Sequence, residues 1–248
     1  MTDFIVVIPA RYGSSRLPGK ALADIGGRPM IAWVHEQARR CAASDVIVAT
    51  DDARIAAACR EHGARVEMTA AGHASGTDRI AELARRFGWD DEQIVVNVQG
   101  DEPLLPPKLV SQVAELLART PGADIATLTT EVRSEDEFRD RNMVKVVTDR
   151  DGFALYFSRA PIPHRSAGPP ANILRRHIGI YAYRAGRLKA LSAAPPSPLE
   201  REERLEQLRA LELGYRIAVA DAVDTPPRGV DTQEDLEAIR AIVKSRST

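Results

Sequence analysis

The chain has 248 residues, 44% hydrophobic and 28% charged, which suits one large α/β domain with a substantial core. Thirty-four basic residues against thirty-five acidic ones leave a net charge of −1, which argues against broad electrostatic binding of nucleic acid and leaves room for a local basic pocket. Cys41 and Cys59 fall in expected helices without disulfide or metal spacing, no apolar run approaches the ~20 residues of a membrane helix, and the opening MTDFIVVIPA lacks the basic start of a signal peptide, so a cytoplasmic protein without membrane or nucleic-acid partners is expected.

Phe4 to Ile8 is a β-branched apolar run suited to a strand buried on both faces. A Gly-, Arg- and Ser-rich loop spans Ala10 to Gly27. Helical spacing runs from Pro29 to Cys41, with apolar residues at Ile31, Val34, Ala38 and Cys41. A strand follows at Asp45 to Ala49, then a helix from Ala53 to His62 stopped by Gly63. Val66 to Thr69 is a short strand, and the loop AAGHASGT opens a helix from Asp78 to Phe87. Ile94 to Val98 is another buried strand, followed by QGDEP and a helix that Pro107 starts and that runs to about Arg119. This alternation predicts a mostly parallel sheet with helices on both faces, with ligand-binding loops after Ile8, Ala49 and Val98.

The second half reads differently. Val144 to Val147 and Phe153 to Ser158 flank Asp151-Gly152, a hairpin signal. Ile178 to Tyr183 is a strand, Leu199 to Leu213 a charged helix, and Arg216 to Val219 a strand. A last helix runs from about Gln233 to Lys244, with Thr232 and Asp235 as its capping box. HRSAGPPANILRR has no periodicity. The hairpin-rich part reads as a smaller dimerisation lobe of one domain spanning 1–248.

VVIPARYGSSRLPGK carries the strongest chemical signal. A buried strand delivers Arg11, Arg16 and Lys20 to a loop that also holds Gly13, Ser14, Ser15 and Gly19. Glycine-exposed N–H groups, forked guanidinium donors and a lysine point charge suit a triphosphate. The loop is neither GxGxxG nor a P-loop. Asp101, after the strand ending VNVQGDEP, can hold Mg²⁺ against phosphate oxygens, although a turn-forming aspartate reads the same way. Asp231 in GVDTQEDL gains value from pairing with Asp101. In HASGTDR, Ser75, Gly76 and Thr77 lead into a helix N-terminus that favours anionic groups. Arg79, in that first turn, asks for an anion partner or lies on the surface. His177, Tyr181, Glu206 and Gln207 line a polyhydroxylated pocket or serve as buried structural polar groups.

Eight segments in order resemble the Kdo (3-deoxy-manno-octulosonate) cytidylyltransferases: IPARYGSSRLPGK, ATDD, HASGTDRIAE, NVQGDEPL, VKVVTDRDGFALYFSRAPIP, RHIGIYAYR, PSPLEREERLEQLR and GVDTQEDLE. The resemblance runs from residue 5 to about residue 240. It implies a Rossmann-like nucleotide-diphospho-sugar transferase fold, usually a homodimer. It implies CTP phosphates on Arg11, Ser14, Ser15 and Lys20, with Ser75, Gly76, Thr77 and Arg79 helping to read cytidine. It implies Mg²⁺ on Asp101 and Asp231, and the sugar acid Kdo on Arg16, Gln99, Arg159, His177, Tyr181, Glu206 and Gln207. The implied reaction forms CMP-Kdo and pyrophosphate for lipopolysaccharide synthesis, with Lys20, Arg11, Asp101 and Asp231 as its catalytic groups. Rival readings are the same transfer to 8-amino-Kdo or sialic acid, a sugar-1-phosphate nucleotidyltransferase, and a non-catalytic CTP-binding regulator. The loop between Pro163 and His177 departs from the family's longer charged stretch.

Overall fold

The computed structural model describes residues 2–13, 17–164 and 173–246. Ser14, Ser15, Arg16 and most of the loop before His177 therefore lie outside the described residues. The first half alternates as the apolar runs dictate: β1 (Phe4–Ala10), a 3₁₀ turn (Lys20–Leu22), the small pair β2 (Asp24–Ile25) and β3 (Arg28–Pro29), α1 (Met30–Arg39), β4 (Asp45–Thr50), α2 (Ala53–Glu61), β5 (Arg65–Met68), α3 (Gly76–Arg86), β6 (Ile94–Asn97) and α4 (Pro107–Arg119). The second half holds β7 (Ile125–Glu131), α5 (Glu135–Arg139), β8 (Lys145–Thr148), β9 (Ala154–Ser158), β10 (Arg175–Arg184), α6 (Ala185–Ala193), α7 (Pro198–Glu203), α8 (Gln207–Glu212), β11 (Ile217–Asp221) and α9 (Gln233–Arg246).

The main sheet runs β11-β7-β10-β6-β1-β4-β5. β1 pairs in parallel with both β4 and β6, as do β5 with β4 and β11 with β7. β10 enters antiparallel between β6 and β7. The hairpin β8–β9 joins through β8 to the start of β10. The pleat sends alternate residues to two cores. Val6, Ile8 and Val96 pack with Ile31, Val34, Ile55, Leu109 and Val113. Val7, Ile47 and Val95 pack with Ile80, Leu83, Ala84, Leu188 and Leu208 on the other face. A third cluster docks α9 onto the β2–β3 pair through Ile25, Met30, Leu236, Ile239 and Val243, which seats Asp231 beside the 3₁₀ turn.

Four sequence expectations change. Cys41 lies just past α1, whereas Cys59 is in α2 and buried. The expected helix Leu199–Leu213 is two helices, because Arg204 adopts the left-handed conformation, φ 55°, and closes α7. β7 and α6 arise where no element was expected. β10 starts earlier than Ile178 and carries a register irregularity between Ile178 and Tyr181. The capping box of α9 forms: Asp235 N–H donates to Thr232 Oγ1 at 3.2 Å, and Thr232 N–H donates to Asp235 Oδ2 at 2.9 Å. Lys145, fully buried, anchors the base of the hairpin lobe by donating to the carbonyls of Asp140 at 2.8 Å, Arg159 at 2.7 Å and Met143. Burial pushes its ammonium pKa down. No helix among the described residues is long and apolar enough to cross a membrane.

Candidate active site

The loops after β1, β6 and β11 converge at the carboxyl ends of the parallel strands, where a sheet of this kind opens a crevice. Gly100 permits the approach: a Cβ there would sit 2.9 Å from the carbonyl oxygen of Pro9. A cleft of about 350 Å³ lies at this junction, lined by Arg11, Gly13, Lys20, Ser75, Gly76, Arg79, Gln99, Asp101, Glu206 and Asp231.

Lys20 sits at its floor. Its Nζ donates to Asp101 Oδ2 at 2.6 Å and to Asp231 Oδ1 at 3.2 Å. Burial alone would push the ammonium pKa down, but the two carboxylates outweigh it and hold it above its ordinary value. Asp101 and Asp231, 130 residues apart in sequence, thus face one cation. Their hard oxygen donors fit Mg²⁺, which is usually held by one or two carboxylates and completed by substrate phosphates. Among the described residues no group of three or more His, Cys, Asp or Glu side chains is placed to hold a metal ion. Beside them, burial first and the Asp101 charge second push Glu102 up to about 8. Beyond this pair lies a further chamber of about 520 Å³ that includes Glu102, Arg176 and Arg228.

Ser75 caps α3, accepting from the Asp78 N–H at 3.2 Å, and Gly76 packs against Pro9. Arg79 finds its anion inside the protein. It is 3% exposed, lies 3.3 Å from Asp51 Oδ1, and donates to Thr69 Oγ1. A first-turn arginine paired internally needs no ligand to explain it, although its side chain still borders the cleft.

A second cavity of about 250 Å³ opens from the first and shares Gly76, Gln99 and Glu206 with it. It gathers Thr77, His177, Tyr181 and Gln207, so five residues named for the sugar, counting Gln99 and Glu206, meet in one place. Tyr181 Oη and Gln207 Nε2 are buried and have no hydrogen-bond partner among the described residues. Both residues line this cavity, and buried polar groups are nearly always satisfied, by protein, water or ligand. Burial pushes the His177 imidazole down to about 3, leaving it neutral at pH 7. Burial also raises Glu206, against hydrogen bonds from Thr77 and Ser75.

Arg159 stands apart. Its Nε donates to the Glu203 carbonyl at 2.9 Å and its guanidinium to the Arg141 carbonyl at 3.1 Å, and it lines neither cavity. Sequence reasoning passed over Asn97, Tyr183 and Arg204, which do line the second cavity. Asn97 carried a signal: it is an amide ending an otherwise apolar strand, and it is 2% exposed. Tyr183 hydrogen-bonds both Thr77 and Asn97.

The family model "Cytidylyltransferase" matches residues 5–217. A 3-deoxy-manno-octulosonate cytidylyltransferase of Vibrio parahaemolyticus serotype O3:K6 (strain RIMD 2210633) is 54% identical over 251 aligned positions, covering 99% of this chain and all of that protein. The solved structure of a CMP:2-keto-3-deoxy-manno-octonic acid synthetase complexed with CTP superposes with a TM-score of 0.91 at 42% identity, covering 99% of this chain and 100% of the other. A 4-diphosphocytidyl-2C-methyl-D-erythritol synthase shares the fold alone, with a TM-score of 0.65 at 14% identity and coverage of 98% and 100%. By its sequence over nearly its whole length and by its fold, the chain belongs to the 3-deoxy-manno-octulosonate cytidylyltransferases.

Proposed function

We propose that the chain transfers CMP from CTP to the anomeric hydroxyl of 3-deoxy-D-manno-octulosonate (Kdo), forming CMP-Kdo and pyrophosphate for lipopolysaccharide synthesis. The observation that carries this reading is the junction of two cavities. One has Arg11, Lys20, Asp101 and Asp231 at its walls, and the other has the orphaned Tyr181 hydroxyl and Gln207 amide. A triphosphate in the first places its α-phosphorus near the shared residues Gln99 and Gly76. A polyhydroxylated acid in the second satisfies the orphans and brings its hydroxyl to the same point.

The sugar hydroxyl attacks the α-phosphorus in line, the bond to the β-phosphate oxygen breaks, and pyrophosphate leaves. Arg11 and Lys20 stabilise charge on the departing phosphates. We assign Ser14 and Ser15 to the CTP phosphates with Arg11 and Lys20, and Ser75, Gly76, Thr77 and Arg79 to the nucleoside. Gln99, His177, Tyr181, Glu206 and Gln207 hold the sugar, and we assign Arg16 to the same set, while Arg159 is engaged elsewhere. Asp101 and Asp231 would hold Mg²⁺, which when bound neutralises the triphosphate and lowers the pKa of the attacking hydroxyl. We read the enzyme as a cytoplasmic homodimer, its hairpin lobe presenting Leu155, 61% exposed, as an apolar contact.

The test is pyrophosphate release with Mg²⁺, CTP and Kdo, beside UTP, 8-amino-Kdo, sialic acid and sugar-1-phosphate controls. Release that requires CTP and Kdo together supports the proposal. Release with another acid or a phosphosugar instead moves the specificity, and no release with any acceptor favours the regulator.

A further inference from the structure

The segment between β5 and α3 belongs to neither element, and it brings His73, Ala74 and Ser75 to the wall of the first cleft. Ala70, Ala71, Gly72 and Ala74 are exposed, and His73 is the one half-buried residue among them. Small exposed residues bury little, so the order of such a loop depends on polar ties to its neighbours. One face of α3 supplies them. Arg79, Glu82 and Arg86 stand three and four residues apart, which puts them side by side on the helix. Arg86 donates to the Met68 carbonyl at 2.7 Å, and Arg79 donates to the Ala70 carbonyl at 3.4 Å. Glu82 Oε2 accepts from the Ala70 N–H at 2.9 Å and from His73 Nε2 at 2.5 Å.

Glu82 is thus the one residue of that face that holds the loop at two points. A carboxylate only accepts, so the bond to His73 puts a proton on Nε2 and fixes the ring. Burial would raise the Glu82 carboxyl, but the bonds from His73 and Ala70 outweigh it and hold it below its ordinary value. These bonds do not build the helix itself, which is capped by Ser75 and buried through Ile80, Leu83 and Ala84. Glu82 lines none of the three cavities at the site, yet it grips a residue that lines the first.

We propose that Glu82 is a positioning residue for the nucleotide: through His73 and the Ala70 N–H it fixes the loop on the nucleoside side of the cleft. The inference rests on the proposed function, which sets the nucleoside against this loop.

Calorimetric titration with CTP and Mg²⁺, without Kdo, tests it on the wild type, Glu82→Ala, Glu82→Gln, His73→Ala and the double alanine variant. Glu82→Ala removes both bonds and is expected to weaken CTP binding about tenfold, the scale of a lost charge-assisted hydrogen bond. Both bonds fall on one oxygen, which the glutamine carbonyl can replace as a weaker acceptor, so Glu82→Gln is expected to stay within about threefold of the wild type. The double variant is expected to lose less than the product of the two single losses, because both substitutions break the same link. In turnover assays the KM for Kdo is expected to change less than about twofold in Glu82→Ala, since the loss falls on one substrate. Unchanged CTP affinity in Glu82→Ala overturns the proposal. So does a glutamine variant as weak as the alanine one, a double variant whose losses multiply, or a Kdo KM that rises as much as the CTP affinity falls. A wild type that binds CTP but transfers no CMP to Kdo overturns the proposed function, while the CTP titrations still decide the role of Glu82.

Discussion

Lys20 Nζ lies 2.6 Å from Asp101 Oδ2 and also reaches Asp231, so the lysine of the phosphate loop and a carboxylate from the opposite loop share one electrostatic centre. On the proposed reading, this ammonium turns to phosphate oxygens when CTP binds, and the carboxylates are left to hold a cation. The contact is partly exposed, with Asp101 31% and Lys20 16% accessible, and pairs of that kind contribute little to folding.

Asp101→Asn is therefore expected to keep the fold and lose the chemistry. Turnover should fall about a hundredfold or more, the scale on which removed transition-state charge stabilisation acts. The urea midpoint should stay near that of the wild type. Near-normal turnover would refute the metal role.

The recognition of the first half rests on strong physical signals. Buried parallel strands must be continuous apolar runs, so IVVI, VIVA and IVVN could be read directly. β7 could not. Its sequence IATLTTE looks polar because Thr127, Thr129 and Thr130 are buried, Thr127 donating to the Ile180 carbonyl at 2.7 Å. A threonine satisfied by a neighbouring strand leaves no trace in a single sequence. The break at Arg204 was equally hidden, since an arginine gives no hint of positive φ. Lys20, Asp101 and Asp231 could be singled out because each stands in a short motif, and the fold brings their side chains together. Arg79 and Arg159 were harder, because their partners Asp51 and Glu203 are brought to them only by the fold.

Arg209 and Glu200 form a buried pair beneath α7 and α8. Arg209 Nε lies 2.8 Å from Glu200 Oε2, and its guanidinium donates to the Ala194 carbonyl at 2.9 Å. Arg209→Leu leaves a buried carboxylate alone and is expected to cost about 3–5 kcal/mol. Replacing both residues by leucine should cost less than Arg209→Leu by itself, as urea unfolding of the single and double variants would reveal.

His177 adds an acid sensitivity. Its ordinary value is 6.5, and burial lowers it to about 3 in the folded chain. Between these values the unfolded chain binds the extra proton, so stability is complete above 6.5 and falls as pH drops through that window. The urea midpoint is expected to decline from about pH 7.5 to about pH 5, and less steeply in His177→Gln, where no imidazole titrates. Equal slopes would contradict a His177 held neutral by the fold.

The most direct measurement of the central claim is ³¹P NMR of the enzyme with Mg²⁺, CTP and Kdo. The account predicts that the α-phosphorus signal of CTP converts to a single phosphodiester resonance, with one pyrophosphate formed for each, and that omitting Kdo stops both changes. Orthophosphate without a phosphodiester, or pyrophosphate formed without Kdo, would contradict it.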